Sequence, residues 1–454
     1  MFSNQSENQD RRPEKKKRKK IKRLGKTIEV LLDEKKLKRI PEPIKSGNQP
    51  EKAEKKGSFS LFRRKMKKKT AIEYAEPGAD VHREQGPVDR PMLIIILLLI
   101  CFGTIMVFSA SYAYALDDMG DSYYYIKRQI VFSLAGVVFM LFLSKVDTDI
   151  IRKFAPFLFA ISVFLLIIVL VLGIAEGAAV RWIKVGSITF QPSEIMKLGM
   201  VLMLAYYYSA TEKQVRAKGF WKSSLFGTFI PILIVSAVCV LVVLEKHISG
   251  TIIMFCIGMA VIFVAGGKLI WFGLAGGAFA AAVYTVIFAT DYATKRIDIW
   301  AHPENYSERA EVWQTLQGLY AVGSGGFFGV GLGNSRQKHL VVSQPQNDFI
   351  FAIVGEELGL IGTFLVLALF VAFVWRCLVI AKRAPDTFSK LAVTGIAAKV
   401  GIQAFLNIAV VTNTIPNTGI SLPFFSYGGT ALIILFVEMG VVLAVSRYSY
   451  LQKQ

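Results

Sequence analysis

The sequence predicts an all-α polytopic membrane protein of about ten transmembrane helices, preceded by a disordered basic tail. Three observations predict it. The 454 residues are 53% hydrophobic, yet 53 Lys and Arg stand against 33 Asp and Glu, a net charge of +20. That charge is unevenly placed: residues 1–90 hold 27 basic and 14 acidic residues, or +13 of the +20. Ten apolar runs follow the tail, and a helix needs about 20 apolar residues to cross a hydrocarbon core about 30 Å thick. Together these observations exclude a simple soluble enzyme.

The tail reads EKKKRKKIKR at 14–23 and RRKMKKK at 63–69, with little apolar material for a core. It is expected to be disordered and solvated. On the cytoplasmic side each Lys or Arg near an anionic leaflet gains about 1 kcal/mol, so anionic lipid is the partner this composition favours. A partner-binding arm and a topology determinant are the alternatives. No aromatic interleaving supports nucleic acid as a partner. The basic segment and the first apolar run are both too long for a cleavable signal, so that run reads as a permanent anchor.

The runs fall near 92–114, 130–146, 154–175, 195–209, 224–244, 251–265, 270–289, 350–375, 391–414 and 429–446, with 195–209 and 251–265 the weakest. Helices satisfy their own backbone groups in lipid, which makes the body, 91–448, helical. Basic residues concentrate in alternate loops (Lys145, Arg152, Lys153; Lys213, Arg216, Lys218, Lys222; Lys268; Arg376, Lys382, Arg383, Lys390), which places both termini, including 449–454, in the cytoplasm.

Four cysteines and four histidines lack ligand spacing, so neither a disulfide framework nor a metal site is expected from them. The Gly-rich stretch 323–333 matches neither a Walker loop nor a dinucleotide fingerprint. The longest outer segment, 291–349, is too long for a passive connector. It carries Arg296, Arg336 and Lys338, and ends on Asp348, a candidate N-cap where the eighth span begins. Glu356 and Glu357 lie two turns deeper, where carboxylates require partners or water. A second outer segment brings Arg181, then Glu194 and Lys197, spaced i,i+3 to pair on a helix start. The last outer turn, from Pro416, supplies Thr418 and Ser426. One acid and several cations at one membrane face suit an amphiphilic, phosphate-bearing substrate: Arg forks bind phosphate, and a carboxylate can take a proton from a hydroxyl.

Four stretches, FQPSEIMKL at 190–198, VGSGGFFGVGLGNSRQKHL at 322–340, QNDFIFAIVGEELGLIGT at 346–363 and QAFLNIAVVTNTIPNTGISLPFFSYGGTAL at 403–432, resemble the bacterial SEDS family of shape, elongation, division and sporulation proteins. The resemblance covers about residues 92–448 and is nearer to FtsW and SpoVE than to RodA. It implies ten spans and a peptidoglycan glycosyltransferase that polymerises lipid II at the outer face of the cytoplasmic membrane, releasing undecaprenyl pyrophosphate with inversion. It also implies a class B penicillin-binding protein and other divisome proteins as partners. The family's essential outer-loop aspartate falls on Asp348, and Arg181, Lys197, Arg296 and Arg336 match charged family positions. Gln403 and Asn407 are polar positions of the fourth motif. No cofactor is certain, although a divalent cation, Mg or Mn, could help to bind the pyrophosphate. A lipid II flippase and a non-catalytic divisome scaffold are the rival readings. Two departures stand out: EKHISGT at 245–251 replaces a PDLGT-like stretch and its acid, and Val180 replaces the first arginine of an ARRW-type motif.

Overall fold

The computed structural model describes residues 86–451, apart from 177–178, 186–187, 218, 290, 303–304, 306–309, 340–341 and 343. These belong to one compact unit, His82–Gln454. The expectations for the tail fall, up to residue 85, outside the described residues.

Helix α1 (Arg90–Met119) starts where the Asp89 carboxylate accepts a hydrogen bond from Met92 N, and it stops at Gly120 with φ 68°. After α2 (Tyr124–Leu143) and α3 (Thr148–Leu172), the chain forms three short strands, β1 (Ile174–Glu176), β2 (Ala179–Val185) and β3 (Ile188–Phe190), in antiparallel order 1-2-3. The helices resume with α4 (Pro192–Ala210), α5 (Glu212–Val215) and α6 (Phe220–Ser224). One π-helical turn (Leu225–Phe229) then joins α6 to α7 (Ile230–Leu244). Next come α8 (Ile248–Val264), α9 (Leu269–Ala289), α10 (Asp291–Ala301), α11 (Ala310–Ser324), α12 (Ile350–Lys382), α13 (Thr387–Val411) and α14 (Gly429–Leu451).

Among the described residues, seven helices are long and apolar enough to cross a membrane: α1, α2, α3, the continuous Phe220–Leu244 unit, α12, α13 and α14. The chain is thus a polytopic, predominantly helical membrane protein. The other three expected runs fold as α4, α8 and α9. The apolar stretches of α8 and α9 are shorter, and α4 carries Glu194, Lys197 and three consecutive tyrosines.

Helix α13 is the axis of the bundle, packed against α4, α8, α12 and α14. Its most apolar window is 67% buried, against 22% for α3, most of whose side chains face outward. Polar residues survive along this axis because they pair. Lys197 donates to Glu194 at 2.6 Å and Lys399 to Glu438 at 2.6 Å, with Lys399 also 3.9 Å from Glu194. Two cations and two anions cancel within the apolar interior, where an unpaired charge would cost several kcal/mol.

Helix α12 is broken. Gly359 has φ 64° and ψ −160°, a backbone state open essentially to glycine. The break frees carbonyl groups, and the Gly-rich segment takes them up: Val330 N donates to Glu356 O (3.0 Å) and Gly331 N to Glu357 O (3.0 Å). In return, Leu360 N donates to Gly326 O (2.9 Å) and Ile361 N to Phe327 O (3.2 Å). The approach is so close that a Cβ on Gly325 would sit 2.0 Å from Gly355 O. At the far end of α12, Arg376 pairs with Asp89, and Arg447 Nε donates to Gly86 O, closing that end of the bundle.

Candidate active site

The bundle end opposite Asp89 gathers the predicted acid and the last turn. Asp348 is half-buried and precedes α12 by two positions. It is not the N-cap: Phe349 holds that position and no side chain caps the helix. The backbone around Asp348 is pinned instead from the turn between α13 and α14. Asn407 Nδ2 donates to Asp348 O (2.8 Å) and to Ile420 O (2.6 Å), bridging the two segments. Ser426 Oγ donates to Asn347 O (2.8 Å) while accepting from Leu422 N (2.7 Å), and Tyr427 N donates to Gln346 O (2.9 Å). Gly419, at φ 65°, lies against the carboxylate; a Cβ there would stand 3.2 Å from Asp348 Oδ2.

The same turn is held from two other sides. Ser249 Oγ, on the first turn of α8, donates to Thr418 O (3.0 Å), and Trp300 Nε1, on α10, donates to Asn413 O (3.0 Å). Thr418 Oγ1 and Asn407 Oδ1 are buried without a hydrogen-bond partner among the described residues. Below the turn, a cavity of about 40 Å³ is lined by Glu194, Lys399, Gln403 and Ser421. Gln403 Nε2 donates to Ser421 O (3.2 Å), and its Oε1 faces Lys197 Nζ at 3.5 Å, linking the charge network of the bundle axis to the turn.

Arg181 lies on β2, beside Glu245 and His247 in the turn from α7 to α8. Burial pushes the Glu245 carboxyl up to about 8, against the pull of Arg181. Burial also pushes His247 down to about 3, with Arg181 and Lys197 repelling its proton. Both groups are therefore neutral near pH 7. In the sequence this turn stands out for the acid it lacks, and nothing local marks Glu245. Its nearness to Arg181 is a tertiary contact with no local signal. Between α7, α8 and α9 an apolar cavity of about 400 Å³ is lined by residues including Cys239, Val243, Ile248 and Phe279.

The remaining predicted residues divide. Glu356 accepts from Ser335 Oγ (2.5 Å) and from Arg336 N (2.8 Å); Glu357 accepts from Ser109 Oγ (2.7 Å) and Lys338 Nζ (3.0 Å). These carboxylates hold the Gly-rich loop in place. Lys338 is only 3% exposed, with its charge committed to Glu357, whereas Arg336 is exposed. Arg296 lies on α10, its side chain outside the described residues. Among the described residues no group of three or more His, Cys, Asp or Glu could hold a metal ion.

The chain matches the family model described as cell cycle protein, FtsW/RodA/SpoVE, over residues 89–451. It is 39% identical over 364 residues to stage V sporulation protein E of Bacillus subtilis, covering 80% of this chain and 97% of that protein. It is 35% identical over 366 residues to a probable peptidoglycan glycosyltransferase FtsW of Geobacter sp., covering 79% and 96%. Among solved structures, a chain of a peptidoglycan synthase complex that coordinates polymerization and crosslinking superposes with TM-score 0.65 at 27% identity, covering 80% of this chain and 98% of that one. RodA of Thermus thermophilus superposes with TM-score 0.59 at 25% identity and the same coverage. The chain therefore belongs to the FtsW, RodA and SpoVE family of cell cycle proteins.

Proposed function

We propose that this protein is a peptidoglycan glycosyltransferase of septal wall synthesis. It polymerises lipid II into β-1,4-linked strands at the outer face of the cytoplasmic membrane, beside a class B penicillin-binding protein. In this reading the chain has ten spans, with α4, α8 and α9 completing the seven longer helices, and both termini are cytoplasmic. The observation that carries the catalytic assignment is the setting of Asp348: a half-buried carboxylate whose own carbonyl is fixed to the facing turn by Asn407.

Asp348 acts as general base. Its carboxylate takes the proton of the GlcNAc 4-hydroxyl on one lipid-linked sugar as that oxygen bonds to the MurNAc anomeric carbon of the other. The bond from that carbon to the pyrophosphate oxygen breaks, and undecaprenyl pyrophosphate leaves from the opposite face, inverting the α-linked donor. Charge growing on the leaving group needs cations already in place. Lys197 and Lys338 are neutralised by Glu194 and Glu357, so Arg181 and the exposed Arg336 take that role, with Arg296 a third candidate assigned from the sequence alone. The apolar cavity between α7, α8 and α9 suits a polyprenyl chain beneath Arg181.

The test is polymerisation of lipid II by the purified complex with its transpeptidase, read as a glycan ladder on a gel. Asp348→Asn keeps the shape and removes the base, and is expected to lose about 10²- to 10⁴-fold in rate. Full-length strands from that variant at the wild-type rate would sink the assignment.

A further inference from the structure

We propose that residues 325–332 form a prong inserted in the bilayer, with Phe327, Phe328, Val330 and Leu332 in contact with lipid acyl chains. The inference rests on the membrane-spanning fold and not on the catalytic reading.

The backbone bonds between this segment and α12 fix its depth. Its partners are residues 356 and 357, about 9–11 Å along the helix from Ile350 at a rise of 1.5 Å per residue, and residues 360 and 361, which open the helical segment after the break. At that level the prong's side chains point away from protein: Phe327 is 70% and Phe328 82% exposed, with Val330 at 40% and Leu332 at 53%. Helix α12 shows the complementary pattern. Residues 350–357 are buried, and its exposed apolar strip begins at Leu360 and continues through Ile361, Phe364, Leu365, Val371 and Trp375 to Leu378. That strip is about 27 Å long, close to the thickness of the hydrocarbon core, and the prong adjoins its outer end.

Irregular backbone stays out of the hydrocarbon interior unless protein or a cavity takes up its polar groups, so the prong meets the acyl chains at the outer boundary of the core, side chains first. Here Gly329 N donates to Gly325 O, Val330 N and Gly331 N reach α12, and the carbonyls of Gly326 and Phe327 accept from α12. Of the polar residues that follow, Ser335 turns inward to Glu356 and Lys338 to Glu357, while Asn334 and Arg336 stay exposed. A partner protein would find only apolar side chains, without the hydrogen-bonding groups of a protein interface. Lipid chains need none. The consequence is that the loop carrying Arg336 is fixed in depth by the bilayer as well as by Glu356.

The experiment uses the full chain with exposed Cys101 changed to Ser, since Cys239 and Cys377 are buried. Phe328→Cys is labelled with bimane and reconstituted in phosphatidylcholine vesicles, with Leu365→Cys as the lipid-facing control and exposed Asp118→Cys as the aqueous one. Label on the half-buried Cys256 is subtracted with the Cys101→Ser parent. Dibrominated acyl chains are expected to lower emission from position 328 by about twofold, as at 365, while aqueous iodide has no effect, because the hydrocarbon core excludes the ion. Quenching by iodide as at 118 would overturn the proposal, and so would indifference to both quenchers, the signature of a second protein covering the prong. If Phe328→Cys does not fold, Leu332→Cys on the same prong reads the same quantity.

Discussion

Asn407 is the residue on which the geometry of Asp348 depends most directly, and its replacement separates positioning from chemistry. Its amide donates to two carbonyls, Asp348 O at 2.8 Å and Ile420 O at 2.6 Å, and the residue is fully buried. Asn407→Ala leaves both acceptors without a donor. At about 1–3 kcal/mol for each buried group left unsatisfied, the expected loss of stability is about 2–4 kcal/mol, allowing for partial relaxation. Asn407→Asp is the sharper variant. It is isosteric, but an ionised carboxylate only accepts, and it would face two carbonyl oxygens with no proton to offer. Both variants free the Asp348 backbone, and a displacement of about 1 Å at a reacting group costs about 10²-fold in rate. The assay pairs thermal unfolding in detergent with the lipid II ladder measured against substrate concentration. A fall in kcat with KM nearly unchanged is the expected signature, because Asn407 is fully buried and its amide is spent on two backbone carbonyls. A destabilised variant with wild-type kcat would refute the positioning role and leave Asn407 as a structural brace alone.

Three further outcomes follow from the structure and the sequence. Gly359→Ala forces a side chain onto φ 64°, ψ −160° and 2.3 Å from Gly329 N, so it is expected to cost about 3 kcal/mol or more, seen as a lowered melting temperature or loss of folded yield. The Glu245 carboxyl is raised from 4.5 to about 8, so the folded state keeps a proton that the unfolded state has released. Its stabilising contribution is full below pH 4.5 and is lost as pH rises through 8, and Glu245→Gln should flatten that part of the stability profile; an unchanged profile from pH 5 to 8 would contradict the assignment. Deleting residues 2–85 should leave lipid II polymerisation intact, because the described site draws on residues after 180; a folded truncation without activity would show that the tail takes part.

The parts of this molecule that were legible in the sequence are those written in local periodicity. Long apolar runs mark helices because each span satisfies its own backbone, and the Glu194–Lys197 pair was visible because residues three apart share a helix face. Asp348 stood out as an acid at the edge of an apolar run, but its designation as an N-cap failed. The bonds that fix this segment come from Asn407, Ser426 and Tyr427, 59 or more positions away, and no local rule anticipates them. The strands at 174–190 escaped notice for the opposite reason. Two of them are only three residues long, too short for an alternation signal, although Gly-Ser at 186–187 between β-branched runs is a hairpin cue. The break in α12 is the most instructive case. The run from 350 is continuously apolar apart from Glu356 and Glu357, so pattern alone gives one unbroken helix. Gly359 could be glycine for packing or for φ, and only the arrival of residues 326–331 decides between them. Lys338 makes the same point about charge: a basic residue in an outer loop reads as a phosphate ligand until Glu357 is found 3.0 Å away. Composition can count the cations of such a site, but which of them remain free for substrate depends on which acids the fold brings beside them.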